Sequence, residues 1–320
     1  MQNYIIRRVL LIIPTVFIVS VIVFLTIRLI PGNVVDAMSA QQTVTGSGGK
    51  MDRAAIMKEL GLDKPILVQY GSWAGNIVAH GNLGTDIWTK VAVTKEINSR
   101  LPVTIELSLL ALIVAQLIAL PIGILSALRQ DTWGDYISRS FAILCIAIPG
   151  FWLGTMLIVF QALWFHYSPP IKYISFGADP IASLKMFLEP AIILGMGMAG
   201  GTMRITRTMM LEVLRQDYIR TAWAKGLRER VVVLRHTLKN ALIPVITVIG
   251  SQLVIMIGGD VIVEQIFNLP GLGRLLMSAV SLRNYPVVSG VLFVFAIGMV
   301  FINLIVDLTY GYLDPRVAYR

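Results

Sequence analysis

From Val9 to Ile27 the chain carries no charged residue. A helix over that stretch, rising 1.5 Å per residue, is long enough to cross about 30 Å of hydrocarbon. Comparable apolar runs recur at Val103–Leu128, with Glu106 near one end, and at Phe141–Phe165, which is uncharged. A fourth is cleanly apolar only over Ala191–Met203, so its helix is expected to extend past Lys185, Glu189 and Arg204. Ala241–Gly259 and Tyr285–Val306 complete the set. The expected fold is an all-α membrane protein with six transmembrane helices, which places both termini on one side.

Composition agrees. The 320 residues are 56% hydrophobic and only 14% charged, where a soluble domain has about 25% charged residues. Mean hydropathy is +0.75. Arg7 and Arg8 before the first run also fit a signal peptide. A signal h-region, however, is about 7–15 residues long and is followed closely by a small-residue cleavage site. The first run therefore reads as a retained span.

Charge placement orients the spans, because short cytoplasmic loops accumulate Lys and Arg. With the N-terminus inside, the inner segments hold fifteen basic residues and the short outer loops four: Lys172, Lys185, Arg274 and Arg283. Residues 1–30 then form a cytoplasmic N-terminus and first span, and 31–102 an extracytoplasmic loop region. Residues 103–312 form the transmembrane core, with a cytoplasmic segment at 215–240, and 313–320 a cytoplasmic tail. In the large loop, "SAQQTVTGSGGKM" reads as flexible. "MDRAAIMKELGLD" has Ile56, Met57 and Leu60 at helical spacing, with Gly61 as C-cap, and "PILVQYGSWAGNIV" fits a second short helix.

Few groups suit chemistry. A phosphate loop needs Gly-Lys-Ser/Thr, but Gly49-Lys50 is followed by Met51. The lone Cys145 allows no intrachain disulfide, and His80, His166 and His236 lack metal-ligand spacing. Glu106, Asp260, Glu264 and Asp307 lie near span ends, where charge is cheaper than at the bilayer centre, and read as interfacial. Gly197 and Gly201 make a small-xxx-small pattern suited to close helix packing. No catalytic constellation, cofactor site or metal site is expected in this chain.

The segment from Arg204 to Asn240 concentrates charge, with nine basic residues and three acids. Such a cluster touches anionic membrane lipid, at about 1 kcal/mol per basic residue near the surface; no nucleic-acid partner is expected. Within it, Asp217 can cap a short helix that Gly226 ends. Ile219, Ala222, Trp223 and Gly226 fall on one face. A second helix places Val231, Leu234 and Leu238 on one stripe, with Arg228, Arg235 and Lys239 beside it. A short helix with an apolar face, held along the membrane, suits docking into a partner's groove.

"DYIRTAWAKGL" followed by "LRHTLKNALIPV" resembles the cytoplasmic coupling segment of ABC importer permeases of the dipeptide/oligopeptide (peptide/nickel) type. "YIIRRVLLIIPTVFIVSVIVFLTIRLIPG", "RLPVTIELSLLAL", "IPGFWLG", "EQIFNLPGLGRLL" and "VDLTYGYLDPR" are similar to family segments in the same order. The resemblance implies a type I ABC importer fold and a non-catalytic permease forming half of a path for di- or oligopeptides. It implies a second homologous permease, one or two kinds of ABC ATPase subunit that bind ATP and Mg, and an extracytoplasmic substrate-binding protein. The location it implies is a bacterial or archaeal cytoplasmic (inner) membrane. By the same resemblance, Asp217, Tyr218, Ile219, Arg220, Thr221, Ala222, Trp223, Ala224, Lys225, Gly226 and Leu227 would seat in an ATPase groove. Leu269, Pro270 and Gly271 would lie at the outer gate or meet the binding protein. Glutathione, an oligosaccharide or a nickel complex are alternative cargoes. A secondary transporter independent of ATP would call for internal repeats and midplane ionisable groups, and the sequence shows neither.

Overall fold

The computed structural model describes residues 2–29, 57, 63–167, 173–258 and 261–313. Its elements are α1 (Gln2–Leu29), α2 (Ile66–His80), α3 (Val93–Leu128), α4 (Trp133–Ala147), α5 (Gly150–Phe165) and α6 (Pro180–Leu214). Then come α7 (Asp217–Ala224), a single turn α8 (Glu229–Val231), a π-helical stretch (Val232–Leu238), α9 (Lys239–Ile257), α10 (Val261–Ile266), α11 (Leu272–Ser281) and α12 (Tyr285–Leu313). Among the described residues the only β feature is an isolated bridge between Thr85 and Ala92. The helix expected around Met57, the glycine-rich loop, Asp260 and the tail lie largely or wholly outside the described residues.

Among the described residues, five helical segments are long and apolar enough to cross a membrane: Ile5–Arg28, Val93–Leu128, Pro180–Leu214, Glu229–Met256 and Tyr285–Thr309. The sixth expected span is not one rod. α4 and α5 meet at 90° across a short break. Pro149 causes it, because its ring disfavours helical backbone at the preceding residue, and Ile148 is extended (φ −85°, ψ 121°). The uncharged run Phe141–Phe165 is therefore a broken span. The helix that carries the second span also begins ten residues before Val103, since Pro102 lies inside α3 rather than bounding it. Prolines are tolerated in membrane helices where neighbours satisfy the freed backbone groups.

Close contacts give the helix directions. Arg8 pairs with Asp307 at 2.8 Å, and Arg28 lies over the Tyr285 ring at 5.8 Å, so α1 and α12 are antiparallel. Gly250 lies against Val306 and Gly258 near Met299, so α9 and α12 are antiparallel too. The start of α9 thus shares an end of the bundle with Arg8 and Asp307. α3 runs parallel to α6, with Gly195 beside Ala111 and Gly123 beside Met203 and Thr206. α4 runs against α6, with Gly200 on Ala142 and Arg207 on Asp135. The spans alternate in direction as six crossings require, and the two chain ends that are described lie together.

The close approaches correct the reading of the glycine pattern. Nothing lies within 4 Å of where a Cβ would sit at Gly197 or Gly201. Gly195 and Gly200 do the packing: a Cβ at Gly200 would fall 2.6 Å from the Ala142 carbonyl, and one at Gly195 2.9 Å from that of Ala111. Between them Ala199 is fully buried in a cluster with Ala115, Ala119, Ala142, Cys145 and Met203. The pattern 197–201 instead faces open space.

Candidate functional site

At the end of the bundle that carries Arg8 and Asp307, the chain leaves α6, turns through α7 and re-enters along the π stretch into α9. Asp217 is the first residue of α7, and Gln216 occupies the capping position without a side-chain hydrogen bond. The expected Asp217 cap is thus displaced by one residue. Its carboxylate sits in the first turn, where negative charge suits the helix dipole, 3.4 Å from the Arg220 guanidinium. Both groups are largely exposed, so the pair adds little stability.

The far end of α7 matches the expectation. Gly226 adopts φ +73°, a conformation glycine enters without steric cost. Its N–H donates to the Trp223 carbonyl at 2.9 Å, and that of Leu227 to the Ala222 carbonyl at 3.4 Å. These two bonds form the motif that ends a helix on a left-handed glycine, and they turn the chain sharply after Lys225.

The apolar face of α7 divides in two. Ile219 and Ala222 are buried against Val232, Val213 and Leu214 of the same chain. Full burial of a side chain like Ile219 is worth about 1.5–3 kcal/mol, so these residues fasten α7 to α6 and to the π stretch and are not offered to a partner. Tyr218, Trp223 and Leu227 remain 46%, 44% and 37% exposed. Tyr218 is steadied by the Asn240 amide, which donates to its hydroxyl at 3.0 Å. Arg220, Thr221, Ala224, Lys225 and Gly226 are exposed alongside them. The site is a short helix rooted by two residues and showing an aromatic, basic outer face.

The following segment departs from its expected face. Over Val232–Leu238 the helix is of the π type, in which hydrogen bonds span five residues rather than four. Phase slips accordingly. Val232, Val233 and Thr237 are the buried residues, whereas Val231 and Leu234 of the expected stripe are exposed and Leu238 is half-buried. Thr237 Oγ1 donates to the Val232 carbonyl at 3.1 Å, supplying a partner inside the widened turn. Arg228, Arg235 and Lys239 are exposed as expected.

Not all of the basic segment is surface. Arg207 is removed from it by Asp135, a fully buried residue of α4 that the sequence reading did not single out. The available signal was an acid, the second of two with Asp131, just ahead of an apolar run. Glu264, read as interfacial, is likewise fully buried. Its carboxylate accepts from Thr104 Oγ1 at 2.7 Å and from the Arg274 N–H at 2.9 Å, at the start of α11. Leu269 and Gly271 are buried beside it and Pro270 is half-buried. The turn they form is covered by the chain's own residues and leads into α11, whose Met277 and Val280 are exposed. Glu106 accepts from the Ser183 hydroxyl and from Tyr173 at 3.3 Å. Among the described residues no group of His, Cys, Asp and Glu is arranged to hold a metal.

Comparison with known proteins places this architecture. Residues 119–319 match the family described as binding-protein-dependent transport system inner membrane component, and residues 1–108 match its N-terminal companion. A peptide transport system permease protein named for Brucella abortus is 38% identical over 320 residues, covering all of both chains. The glutathione transport system permease protein GsiC of Pectobacterium atrosepticum is 38% identical over 323 residues, again covering both chains fully. A crystal structure of an amino acid ABC transporter superposes with a TM-score of 0.53 at 15% identity, covering 68% of this chain and 93% of that one. Its fold is therefore shared. The helical bundle, the family match along both parts of the chain and the full-length relatives converge: the chain belongs to the binding-protein-dependent transport system inner membrane components, and is a multi-pass permease subunit of an ABC importer in a bacterial inner membrane.

Proposed function

We propose that this permease forms half of a path for di- or oligopeptides and couples to ATPase subunits through α7. The observation that carries the reading is the divided face of α7. Ile219 and Ala222 bind it to α6 and the π stretch, while Tyr218, Trp223 and Leu227 stay exposed. A helix that is rooted in two spans and shows aromatic and basic side chains outside transmits a push from a groove that grips it, as a rigid-body switch between two states requires.

In this reading the chain supplies no catalysis. ATP and Mg are bound by one or two kinds of ABC ATPase subunit lying against the Asp217–Leu227 face. A second homologous permease completes the path, and a substrate-binding protein delivers cargo at the opposite end. The buried 269–271 turn shapes that end from within, and the exposed side of α11 meets the binding protein. Both termini are cytoplasmic, in keeping with the basic residues around α7. The peptide and glutathione transport systems of the relatives support short peptides as cargo, glutathione being itself a modified tripeptide.

Two variants test the coupling role. Trp223→Ala removes an exposed ring without touching the chain's own core, so membrane level and thermal stability stay at wild-type values. Co-purification of the ATPase and uptake of a labelled dipeptide fall together. Ile219→Ala, by contrast, lowers stability by about 2–5 kcal/mol through a core cavity. Normal uptake and ATPase retention in Trp223→Ala would overturn the assignment.

A further inference from the structure

The opposite end of the bundle holds a cavity of about 240 Å³ between α1, α2, the 81–92 loop and the start of α12. Its position is fixed by two membrane boundaries. The apolar span of α1 ends at Arg28, and that of α12 begins at Tyr285; both residues line the cavity. The cavity therefore lies where hydrocarbon gives way to headgroups.

The walls have one sign of charge. The Arg28 guanidinium lies over the rings of Phe24, at 5.3 Å, and Tyr285, at 5.8 Å. It has no carboxylate partner among the described residues. Stacking on aromatic faces leaves the planar edge of a guanidinium for an oxyanion. Lys64 lines the same cavity, and among the described residues no Asp or Glu does. Two acids adjoin lining residues in sequence: Asp63, exposed beside Lys64, and Asp86, which is engaged by the N–H groups of Trp88 and Thr89 at 2.6 and 2.9 Å. Trp73 forms another wall, and its Nε1–H, a donor only, finds no acceptor among the described residues. Ile27, Leu83 and Ile87 continue the cavity as an apolar surface. On α2 next to it, Leu67 and Val78 are more than four-fifths exposed, as suits a helix lying in the membrane interface.

Two lining cations, aromatic rings at the boundary and an apolar floor together describe an amphiphile with an anionic head. We infer that this cavity binds the headgroup phosphate of one anionic phospholipid, with Arg28 and Lys64 on its oxygens and the acyl chains along α2. Bound there, the lipid bridges α1, α2 and α12 and braces the loop end of the first span against the last.

The test extracts the protein with its native partners in mild detergent and weighs bound lipid by native mass spectrometry. Phosphatidylglycerol, phosphatidylethanolamine, inorganic phosphate or dialanine is then added to delipidated samples. The expected result is one phosphatidylglycerol per chain, unaffected by phosphate or dialanine. Arg28→Gln weakens its binding about tenfold or more, the scale of a lost hydrogen bond to a charged group. Lys64→Gln, an exposed substitution without folding cost, weakens it about fivefold. Wild-type retention in both variants would overturn the proposal, as would equal binding of zwitterionic phosphatidylethanolamine. Displacement by inorganic phosphate would make the cavity a soluble-anion site, and displacement by dialanine a cargo subsite; either result replaces the lipid.

Discussion

Arg207 holds Asp135 through two parallel hydrogen bonds, Nε to Oδ1 at 2.8 Å and Nη2 to Oδ2 at 2.7 Å, across 72 positions of sequence. Asp135 is fully buried and also accepts from the Ser126 hydroxyl and the Asp131 N–H. The pair joins α4 to α6 about two turns before α6 gives way to α7. Removing one partner leaves a buried charge uncompensated, which costs about 3–5 kcal/mol. Asp135→Leu is therefore expected to lower the apparent Tm of the purified chain sharply. The double variant with Arg207→Leu should recover much of the loss, a non-additivity that a double-mutant cycle measures.

The two kinds of glycine on α6 should separate fold from assembly. Gly200→Ala drives a Cβ onto the Ala142 carbonyl and is expected to cost about 1–3 kcal/mol through overpacking. At Gly201 a Cβ meets nothing of this chain within 4 Å, so Gly201→Leu should change the thermal stability of the isolated subunit little. If the open 197–201 face receives the second permease, Gly201→Leu will reduce its co-purification. Retention at wild-type level would place the partner elsewhere.

Around Glu264 the glycines are spatial necessities. A Cβ at Gly271 would coincide with the Glu264 carboxylate, and one at Gly273 would lie 2.9 Å from the Val261 Cα. Gly271→Ala should thus be at least as damaging as Glu264→Gln, which keeps the shape and the acceptor oxygen. Thermal unfolding of both variants in one detergent checks the order. A milder effect of Gly271→Ala would mean that the carboxylate does not sit there.

Asp86 supplies a pH dependence with a definite sign. Burial pushes its carboxyl up, but hydrogen bonds from Thr89, Trp88 and Asn284 outweigh this and hold it below the usual aspartate value. A depressed folded pKa gives stability that is present above the unfolded value, about 3.9, and lost as pH falls through the lower folded value. Wild type should therefore exceed Asp86→Asn in Tm at neutral pH, the gap closing only below about pH 4. A gap independent of pH would remove the charge from the explanation.

Much of this architecture was legible because apolar length and basic placement are coarse signals. The end of α7 at Gly226 was readable for a sharper reason, since a positive φ there favours glycine. Faces were harder. Gly197 and Gly201 satisfied the spacing rule, yet Gly195 and Gly200 make the contacts, because spacing alone does not say which side of a helix a neighbour occupies. Ile219 and Ala222 belonged to the predicted apolar face but serve the chain's own core. The pairing of Asp135 with Arg207 needed the third dimension, although each residue stands plainly in the sequence. Pro149 announced a break, but uniform hydrophobicity on both sides of it hid the right angle.

The π stretch before α9 has a bearing on how this chain tolerates length changes. Adding a residue to an ordinary helix rotates the remainder by about 100°, which would swing α9 off both α6 and α12. A π turn takes one residue more than an α turn, so Val232–Leu238 stores an extra residue without displacing α9. Deleting a single residue there should let the stretch relax to α geometry with Ile219 and Ala241 still facing their own neighbours. The same deletion a few positions later, within α9, would dismantle the packing of Gly250 against Val306. The helix thus contains one place where the chain can be shortened without losing register.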